Sequence, residues 1–106
     1  MSDVSQIGSE ILSALAHPNR IRIIKRLQEG KTCNCELIKD LKIEQSNLSR
    51  HLKLLTQAGI LIRTQEGVKV FYEIADKRVL KMIDLAIDVA RSTLERRSRI
   101  MQEFFA

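Results

Sequence analysis

The chain has 106 residues, of which 44% are hydrophobic and 29% are charged. This length holds one domain, predicted over residues 1–106, and this composition supports a hydrophobic core, which excludes a multidomain or disordered chain. The net charge is +5, from 18 Lys and Arg against 13 Asp and Glu, and the excess favours a polyanionic partner.

The sequence carries no sign of a membrane or secreted protein. No apolar run approaches the roughly 18 residues that span a bilayer. The first ten residues lack the basic and apolar regions of a signal peptide. We therefore expect a cytoplasmic protein with no membrane partner.

Two helices are predicted at the start of the chain. Apolar residues recur at helical spacing over residues 3–16, with Asp3 or Ser5 available to cap the first turn. The same spacing recurs over residues 18–29. Pro18 suits the first position of this second helix, because the N–H that proline lacks has no helical partner there.

Two more helices follow, separated by a tight connection. Residues 33–41 predict a short third helix with Thr32 as a possible N-cap. After the connection at 42–44, residues 45–58 predict a fourth helix, with leucines on an inward face and polar side chains on the opposite one. The inward residues are Leu48, Leu52 and Leu55, and the outward ones are Ser46, Arg50, Lys53 and Gln57.

The pattern then changes from helical to extended. Residues 60–64 are β-branched and apolar, and residues 68–74 are rich in strand-forming side chains. Between them Glu66 and Gly67 supply a turn, since glycine adopts a positive φ without strain. These features predict a β-hairpin.

A long helix is predicted over residues 77–104, where apolar residues again form a stripe. At 1.5 Å per residue such a helix is about 40 Å long, which exceeds the width of so small a domain. Part of the apolar stripe must therefore be buried against something outside the monomer.

In this order the elements make a winged helix-turn-helix: a mostly α fold of four helices, a small β-hairpin wing and a fifth helix. The helix after the turn fits the major groove of B-DNA, about 12 Å wide, and its first residues meet base edges. Amide side chains can pair with adenine and Arg with guanine, while the hairpin lies along the flanking phosphates. The candidate DNA-binding residues are Gln45, Ser46, Asn47, Ser49, Arg50, His51 and Lys53 of the helix, with Arg63 and Lys69 of the hairpin.

Two other classes of function compete with DNA binding. A winged helix can also serve as a protein-interaction module, and a merely solvated polar face would give the same pattern. An enzyme is not indicated, because the sequence contains no glycine-rich phosphate loop, no nucleophile elbow and no paired-carboxylate signature. Its one Cys-x-Cys differs from the Cys-x-x-Cys of thiol oxidoreductases.

Three parts of the chain resemble the ArsR/SmtB family. AHPNRIRII at 16–24 is similar to the opening of that family's second helix. QSNLSRHLKLL at 45–55, followed by AGIL at 58–61, is similar to its recognition helix and the start of its wing. TCNCEL at 32–37 is similar to the cysteine-bearing third helix of its metal-sensing members. The resemblance extends over residues 5–100.

The resemblance implies a homodimeric transcriptional repressor whose partner is a double-stranded operator DNA. Members of the family dimerise through their terminal helices, here 3–16 and 77–104, which agrees with the excess length of the last helix. They release the DNA when a metal, metalloid or other signal binds. No resident cofactor is implied.

The signal site to which the resemblance points is the pair Cys33 and Cys35. Thiolates bind soft ions such as As(III), Cd(II) or Cu(I), and a helix N-terminus with Lys31 nearby favours the thiolate form. Residues i and i+2 of a helix point about 200° apart. Both sulfurs can therefore hold one ion only if the first turn of the helix unwinds, which would distort the helix-turn-helix.

Several signals are compatible with this pair. In zinc-sensing relatives the last helix supplies carboxylates and a histidine, whereas here it offers Asp84, Asp88 and Glu95 without a histidine. Ile38 stands where some arsenic-sensing relatives carry a further cysteine. Three alternatives remain: a soft ion held by two thiolates and an outside ligand, oxidation of the thiols to a disulfide, or no sensing at all.

One position departs from the family pattern. Glu44 stands where relatives often have a Ser or Thr that caps the recognition helix. A carboxylate there suits the helix dipole but not a nearby phosphate. Ser46 is an alternative cap that would start the helix two residues later and change the set of base-contacting residues.

Overall fold

The computed structural model describes residues 3–105, so the ends of the predicted domain, 1–2 and 106, lie outside the described residues. The described chain forms five helices and a hairpin in the predicted order, with an additional two-residue strand before the third helix. The helices are α1 (Val4–Leu15), α2 (Pro18–Leu27), α3 (Asn34–Leu41), α4 (Gln45–Gln57) and α5 (Arg78–Phe105), and the strands are β1 (Thr32–Cys33), β2 (Leu61–Glu66) and β3 (Lys69–Ile74). This arrangement confirms the winged helix-turn-helix.

The ends of the first two helices follow from their caps. Asp3, one of the two expected caps, accepts a hydrogen bond at 2.8 Å from the backbone N–H three residues later, whereas Ser5 lies inside α1. Pro18 occupies the first turn of α2, as expected. This helix ends at Leu27, two residues before the predicted end, and the chain turns through Gly30, whose φ is +123°.

α3 begins one residue later than predicted and uses a different cap. Thr32, the expected cap, lies in β1 instead and pairs with Tyr72 of β3. Cys33 caps the helix, since its Sγ accepts a hydrogen bond at 3.3 Å from the N–H of Cys35. The expectation was wrong because pairing with β3 keeps the backbone extended through Cys33, and such a distant pairing leaves no local sequence signal.

A three-stranded antiparallel sheet of order β1-β3-β2 forms the base of the wing. The last pair of the hairpin is Glu66 with Lys69. The turn therefore consists of Gly67 and Val68, one residue beyond its predicted position. Gly67 has φ +64°, which glycine adopts without strain and which suits a two-residue hairpin turn.

One hydrophobic core lies between α1 to α4, the sheet and the start of α5. Its largest fully buried side chains are Ile23, Ile24, Leu37, Leu48, Leu52, Leu55 and Ile60. The presence of all three α4 leucines confirms the predicted inward face of that helix. Within α5 the buried residues are Val79 and Ile83, so most of this long helix packs against nothing in its own chain.

Arg26 holds α3, the first helix of the helix-turn-helix, against α2. Its guanidinium lies 2.9 Å from Asp40 and 3.6 Å from Glu36, both of α3, and 3.0 Å from Glu29. The hydrogen bond from Arg26 to Asp40 is the main cause of the raised pKa of Arg26. These contacts fix the position of the helix that precedes α4.

Within residues 3–105, every helix is too short or too polar to cross a membrane.

Candidate nucleic-acid interface

Glu44 determines where α4 begins. Its carboxylate accepts hydrogen bonds from the backbone N–H groups of Ser46 at 3.1 Å and Asn47 at 3.2 Å, and from the Ser46 hydroxyl. The helix therefore starts at Gln45, and the alternative start with Ser46 as the cap is wrong, because the longer Glu44 side chain satisfies two free N–H groups at once. The hydrogen bonds from Ser46, then those from Asn47 and the charge of Arg50, lower the pKa of Glu44 below its usual value.

The polar face of α4 is open to solvent. Its exposed residues are Gln45, Ser46, Asn47, Ser49, Arg50 and Lys53. The Arg50 guanidinium donates a hydrogen bond to the side-chain oxygen of Asn47, one turn earlier on the same face. Because a guanidinium has five N–H donors, this contact orients Arg50 and leaves most of its donors for a partner.

His51 lies to one side of this face. It is half-buried, and its ring centroid is 4.5 Å from that of His17, the residue that caps α2. Removal from water lowers the pKa of His51, and the charges of His17, Arg20 and Arg50 lower it further. The His51 imidazole is therefore mainly neutral at pH 7, and it points toward α2 instead of outward with the other polar residues of α4.

A cleft of about 350 Å³ lies between the first turn of α2 and the exposed face of α4. Its polar lining consists of His17, Asn19, Arg20, Asn47, Arg50 and His51. Sequence reasoning missed the residues that α2 contributes. The sequence at 16–24 shows that His17 and Arg20 are present. Only the packing of α2 against α4 shows that they lie beside Arg50 and His51.

Other basic residues of α2 are already engaged within the chain. Arg22 donates to the backbone carbonyl of Leu41 at 2.6 Å. Lys25 lies 2.8 Å from Asp84 of α5. These contacts fasten α2 to its neighbours, so they do not supply free charge to the surface around α4.

The wing presents Arg63 on β2 and Lys69 on β3, both exposed. Because Lys69 pairs with Glu66, three residues beyond Arg63, the two cations lie on opposite faces of the hairpin. Lys31 braces the wing, with its Nζ 2.6 Å from Glu66 and 5.4 Å from the ring centre of Phe71. The charge of Lys31 is thus directed to the wing and not to the cysteine pair.

Cys33 and Cys35 are joined by a disulfide, with their Cα atoms 5.3 Å apart. The expectation that α3 must unwind before the sulfurs can meet is wrong. Cys33 precedes the helix and has an extended backbone (φ −67°, ψ 142°), so the two sulfurs meet while the helix stays intact. Cys33 is 5% exposed, whereas Cys35 is open to solvent.

The described residues do not complete a metal site around this pair. Among residues 3–105, no group of three or more His, Cys, Asp or Glu side chains is placed to hold one ion. On α5, Asp84 pairs with Lys25 and Asp88 lies 3.6 Å from Arg91. An ion bound to the two sulfurs would therefore need a further ligand from solvent or from another chain.

Comparison with known proteins identifies the family. The model described as "Bacterial regulatory protein, arsR family" matches residues 17–63, from the cap of α2 into β2. The HTH-type transcriptional regulator MJ1325 of Methanocaldococcus jannaschii is 42% identical over 79 residues, which cover 74% of this chain and 89% of that protein. The arsenical resistance operon repressor of Bacillus subtilis is 39% identical over 67 residues, which cover 62% of this chain and 64% of the repressor.

A solved structure extends the similarity over nearly the whole chain. The crystal structure of Rv0081 from Mycobacterium tuberculosis matches with a TM-score of 0.76 and 32% sequence identity, covering 92% of this chain and 98% of that one. These relatives are regulators, and the fold and the exposed helix after the turn are consistent with that role. The chain is therefore a regulator and not an enzyme. The chain belongs to the ArsR/SmtB family and is a DNA-binding transcriptional repressor with a winged helix-turn-helix fold.

Proposed function

We propose that this protein is a homodimer that reads an operator half-site with each copy of α4 and leaves the DNA when the thiols of Cys33 and Cys35 react. The observation that carries the proposal is the exposed polar face of α4. That face is fixed at its N-terminus by Glu44 and supported from behind by three leucines that are at most 1% exposed. A rigid helix with unused donors is what base recognition requires.

The dimensions and side chains of α4 suit a major groove. Its 13 residues extend for about 20 Å. Arg50 can pair with guanine and Asn47 with adenine, each through two hydrogen bonds. Because these two side chains already contact each other, we expect them to read neighbouring base pairs. Arg63 and Lys69 would then contact phosphates on the two sides of the wing.

Selection of bound duplexes from a random pool tests the reading of DNA by α4. We expect the recovered sequences to contain an inverted repeat, with half-sites about one helical turn or a multiple of it apart. Binding should weaken steeply between about 50 and 200 mM salt, because phosphate contacts release counterions. If no duplex binds at the lower salt concentration, the polar face has another role and the protein-interaction alternative replaces this one.

A second copy of the chain is the partner that best fits α5. Beyond Ile83 this helix exposes large apolar side chains on the side that carries Leu94, and the others there are Met101, Phe104 and Phe105. From Ala90 to Phe104, beyond the residues that pack on the chain's own core, apolar residues recur every three or four positions with one interruption at Arg97, which is the spacing of helices that pack side by side. α1 adds Leu12, which is 59% exposed. Pairing about a twofold axis would cover this surface and present two copies of α4 to the DNA.

The cysteine pair is connected to the wing and to α3, the helix that precedes α4. Cys33 caps α3, and its backbone pairs with Phe71 of β3 in the wing. We infer that a peroxide oxidises the two thiols: each S–H bond breaks, the S–S bond forms, and the peroxide takes up two electrons and two protons as it is reduced to water. Bridging the sulfurs fixes the cap of α3 and β1 relative to each other and leaves α3 and the exposed face of α4 intact, so the signal would act through the wing, whose strand β3 pairs with Cys33.

A thiophilic ion is the second candidate signal. The similarity to an arsenical resistance operon repressor favours it. As(III) or Cd(II) would be held by the two thiolates together with a ligand from solvent or from the second copy. Such an ion would constrain the same cap of α3 that the disulfide constrains.

One titration distinguishes the two signals. Reduced protein and a Cys33→Ser, Cys35→Ser variant are bound to a labelled duplex, and peroxide, As(III) or Cd(II) is added in separate arms. Serine also caps helices, so α3 should persist in the variant. DNA release by peroxide with loss of alkylatable thiols indicates oxidation, and release by an ion with a thiolate charge-transfer band indicates ion binding. Identical release from both proteins in every arm would contradict thiol signalling.

A further inference from the structure

We propose that the cleft between α2 and α4 binds a phosphodiester group of the DNA backbone, with Arg20, His17 and His51 as donors beside Arg50. The proposal rests on the insertion of α4 into the major groove. It extends the DNA-contacting surface beyond the recognition helix and the wing, because it assigns a role in binding to the first turn of α2.

The cleft has the composition of an anion site. Three of its polar side chains come from the cap and first turn of α2 and three from α4, and Leu54 of α4 closes one side. Among the residues that the structure describes, those lining the cleft include two arginines and two histidines but no carboxylate. A volume of about 350 Å³ leaves room for a phosphate group. The cleft therefore concentrates hydrogen-bond donors and positive charge without an internal counterion.

Arg20 has unused hydrogen-bonding capacity. Its Nε–H is buried and has no hydrogen-bond partner within residues 3–105. The Nε–H itself is closed to solvent, so a ligand would meet Arg20 through the other N–H groups of its guanidinium, on the side that lines the cleft. The neighbouring Arg22, by contrast, donates to Asn19 and to the carbonyl of Leu41. Of these two arginines, Arg20 is the one placed to meet a ligand.

The two histidines add donors on the same cleft. The Nδ1 atom of His17 accepts a hydrogen bond from the backbone N–H of Asn19 at 3.0 Å, so in the neutral ring the proton lies on Nε2, which can donate. His51 lies opposite, with ring centroids 4.5 Å apart. The charged or titratable groups that face His51 are His17 and Arg20 of the α2 segment and Arg50 of α4. Removal from water lowers the pKa of His51 most, and these basic groups lower it further, so an anion in the cleft would relieve their repulsion.

The position of the cleft favours DNA over a free anion. Arg50 and Asn47 belong both to the cleft and to the exposed face of α4. When a helix lies in the major groove, the elements beside it face the phosphates that border that groove. A phosphate bound here would fix the depth and register at which α4 enters. Because this contact goes to the backbone, it would not distinguish one sequence from another.

The salt dependence of DNA binding tests the assignment. Arg20→Gln removes one positive charge, and Lys81→Gln removes one from an exposed position on α5, which makes it a matched control. We expect Arg20→Gln to weaken binding to selected and random duplexes by the same factor, about five- to tenfold per subunit. The slope of log K against log salt should shrink by about 0.9 per subunit. The control should match the wild type in both quantities.

Two further measurements separate binding from folding. Arg20→Lys keeps the charge and should restore most of the salt slope, while thermal unfolding reports whether any variant has lost its fold. In NMR spectra, the imidazole signals of His17 and His51 should shift when a duplex is added to the wild type. Inorganic phosphate is titrated in a parallel arm as the free-anion probe.

The results that overturn the proposal are distinct from those that overturn DNA reading. If the wild type binds DNA with a steep salt dependence and Arg20→Gln leaves that slope unchanged, the cleft holds no phosphodiester. If phosphate shifts the histidine signals while the slope is unchanged, the cleft is a free-anion site and the assignment to DNA is wrong. If the wild type binds no duplex at all, the DNA-binding function proposed for α4 is wrong, and the proposal for the cleft, which depends on it, is wrong as well.

Discussion

At the start of α4 the carboxylate of Glu44 stabilises the helix, but its negative charge repels the DNA that the helix binds. Glu44 accepts hydrogen bonds from two backbone N–H groups that would otherwise have no partner. The same charge lies beside Asn47 and Arg50, where DNA phosphates would approach, and like charges repel. Stability and DNA affinity should therefore respond to Glu44 in opposite directions.

Glu44→Gln is expected to lower the melting temperature and to raise the affinity for DNA. The melting temperature falls because the charge-assisted cap is lost, and affinity rises by about two- to fivefold because a repulsive charge is removed. Thermal unfolding and fluorescence anisotropy measure the two effects. Glu103→Gln, which makes the same charge change on α5, should alter neither quantity, and a parallel fall in both stability and affinity would contradict this role for Glu44.

His51 makes the stability of the fold depend on pH. Its pKa in the folded chain lies below the ordinary value of 6.5, because the ring is partly removed from water and surrounded by positive charges. As the pH falls through 6.5, the unfolded chain therefore takes up the proton first, and the free energy of unfolding decreases until the folded chain is protonated too. Urea unfolding between pH 8 and 5 should show a smaller decrease for His51→Gln than for the wild type. Equal slopes would mean that His51 titrates alike in both states.

At the level of the elements, sequence patterns predict those features that depend on interactions between nearby residues. The leucines at i, i+4 and i+7 correctly predicted which face of α4 points inward, because burial of these side chains determines the orientation of the helix. The change to alternating β-branched residues likewise located the hairpin. Its turn lies one residue further along, since pairing of Glu66 with Lys69, which depends on register, determines the turn residues.

Features that depend on distant contacts were not predictable in this way. β1 has two residues and exists because it pairs with β3, so nothing in its own sequence marks it as a strand. That pairing makes Cys33 the cap of α3 in place of Thr32. The α2 side of the cleft is a product of packing, because His17 and His51 are far apart in the chain and meet only after folding.

The start of α5 should be sensitive to acid through its cap. Asp76 accepts hydrogen bonds from the Arg78 side chain and from its backbone N–H, and these lower the pKa of Asp76 to about 2. The stabilisation is present above pH 3.8, the ordinary value, and is lost as the pH falls from there toward 2. Asp76→Ala should therefore lower the melting temperature at pH 7, and the difference from wild type should shrink near pH 3. A difference that is constant across this range would contradict the ionised cap.

On the scale of the whole molecule, dimerisation determines whether two copies of α4 contact the DNA together. The chain measures 60 by 40 by 23 Å along its principal axes, and α5 exposes most of its apolar residues. An apolar surface of this extent marks an interaction site. Pairing through α5 would double the net charge and the number of half-site contacts without changing either subunit.

Leu94→Glu is expected to weaken dimerisation by roughly a hundredfold or more, because each dimer loses two apolar contacts and gains two buried charges. Leu94 is 63% exposed in the single chain, so the fold should persist. Ser92→Glu adds the same charge about 200° around α5 and should leave the dimer intact. Sedimentation equilibrium measures both variants. A wild type that remains monomeric at micromolar concentration would remove the dimer from the proposal.

The recognition of base pairs by the exposed face of α4 is tested most directly by the effect of Arg50→Ala on sequence discrimination. Affinities of wild type and variant are measured by fluorescence anisotropy, at one salt concentration, for a selected duplex and for the same bases in scrambled order. The variant should lose about 1–3 kcal/mol, or roughly 5- to 150-fold, on the selected duplex and much less on the scrambled one. An equal loss on both duplexes, or no loss on either, would contradict base reading by α4.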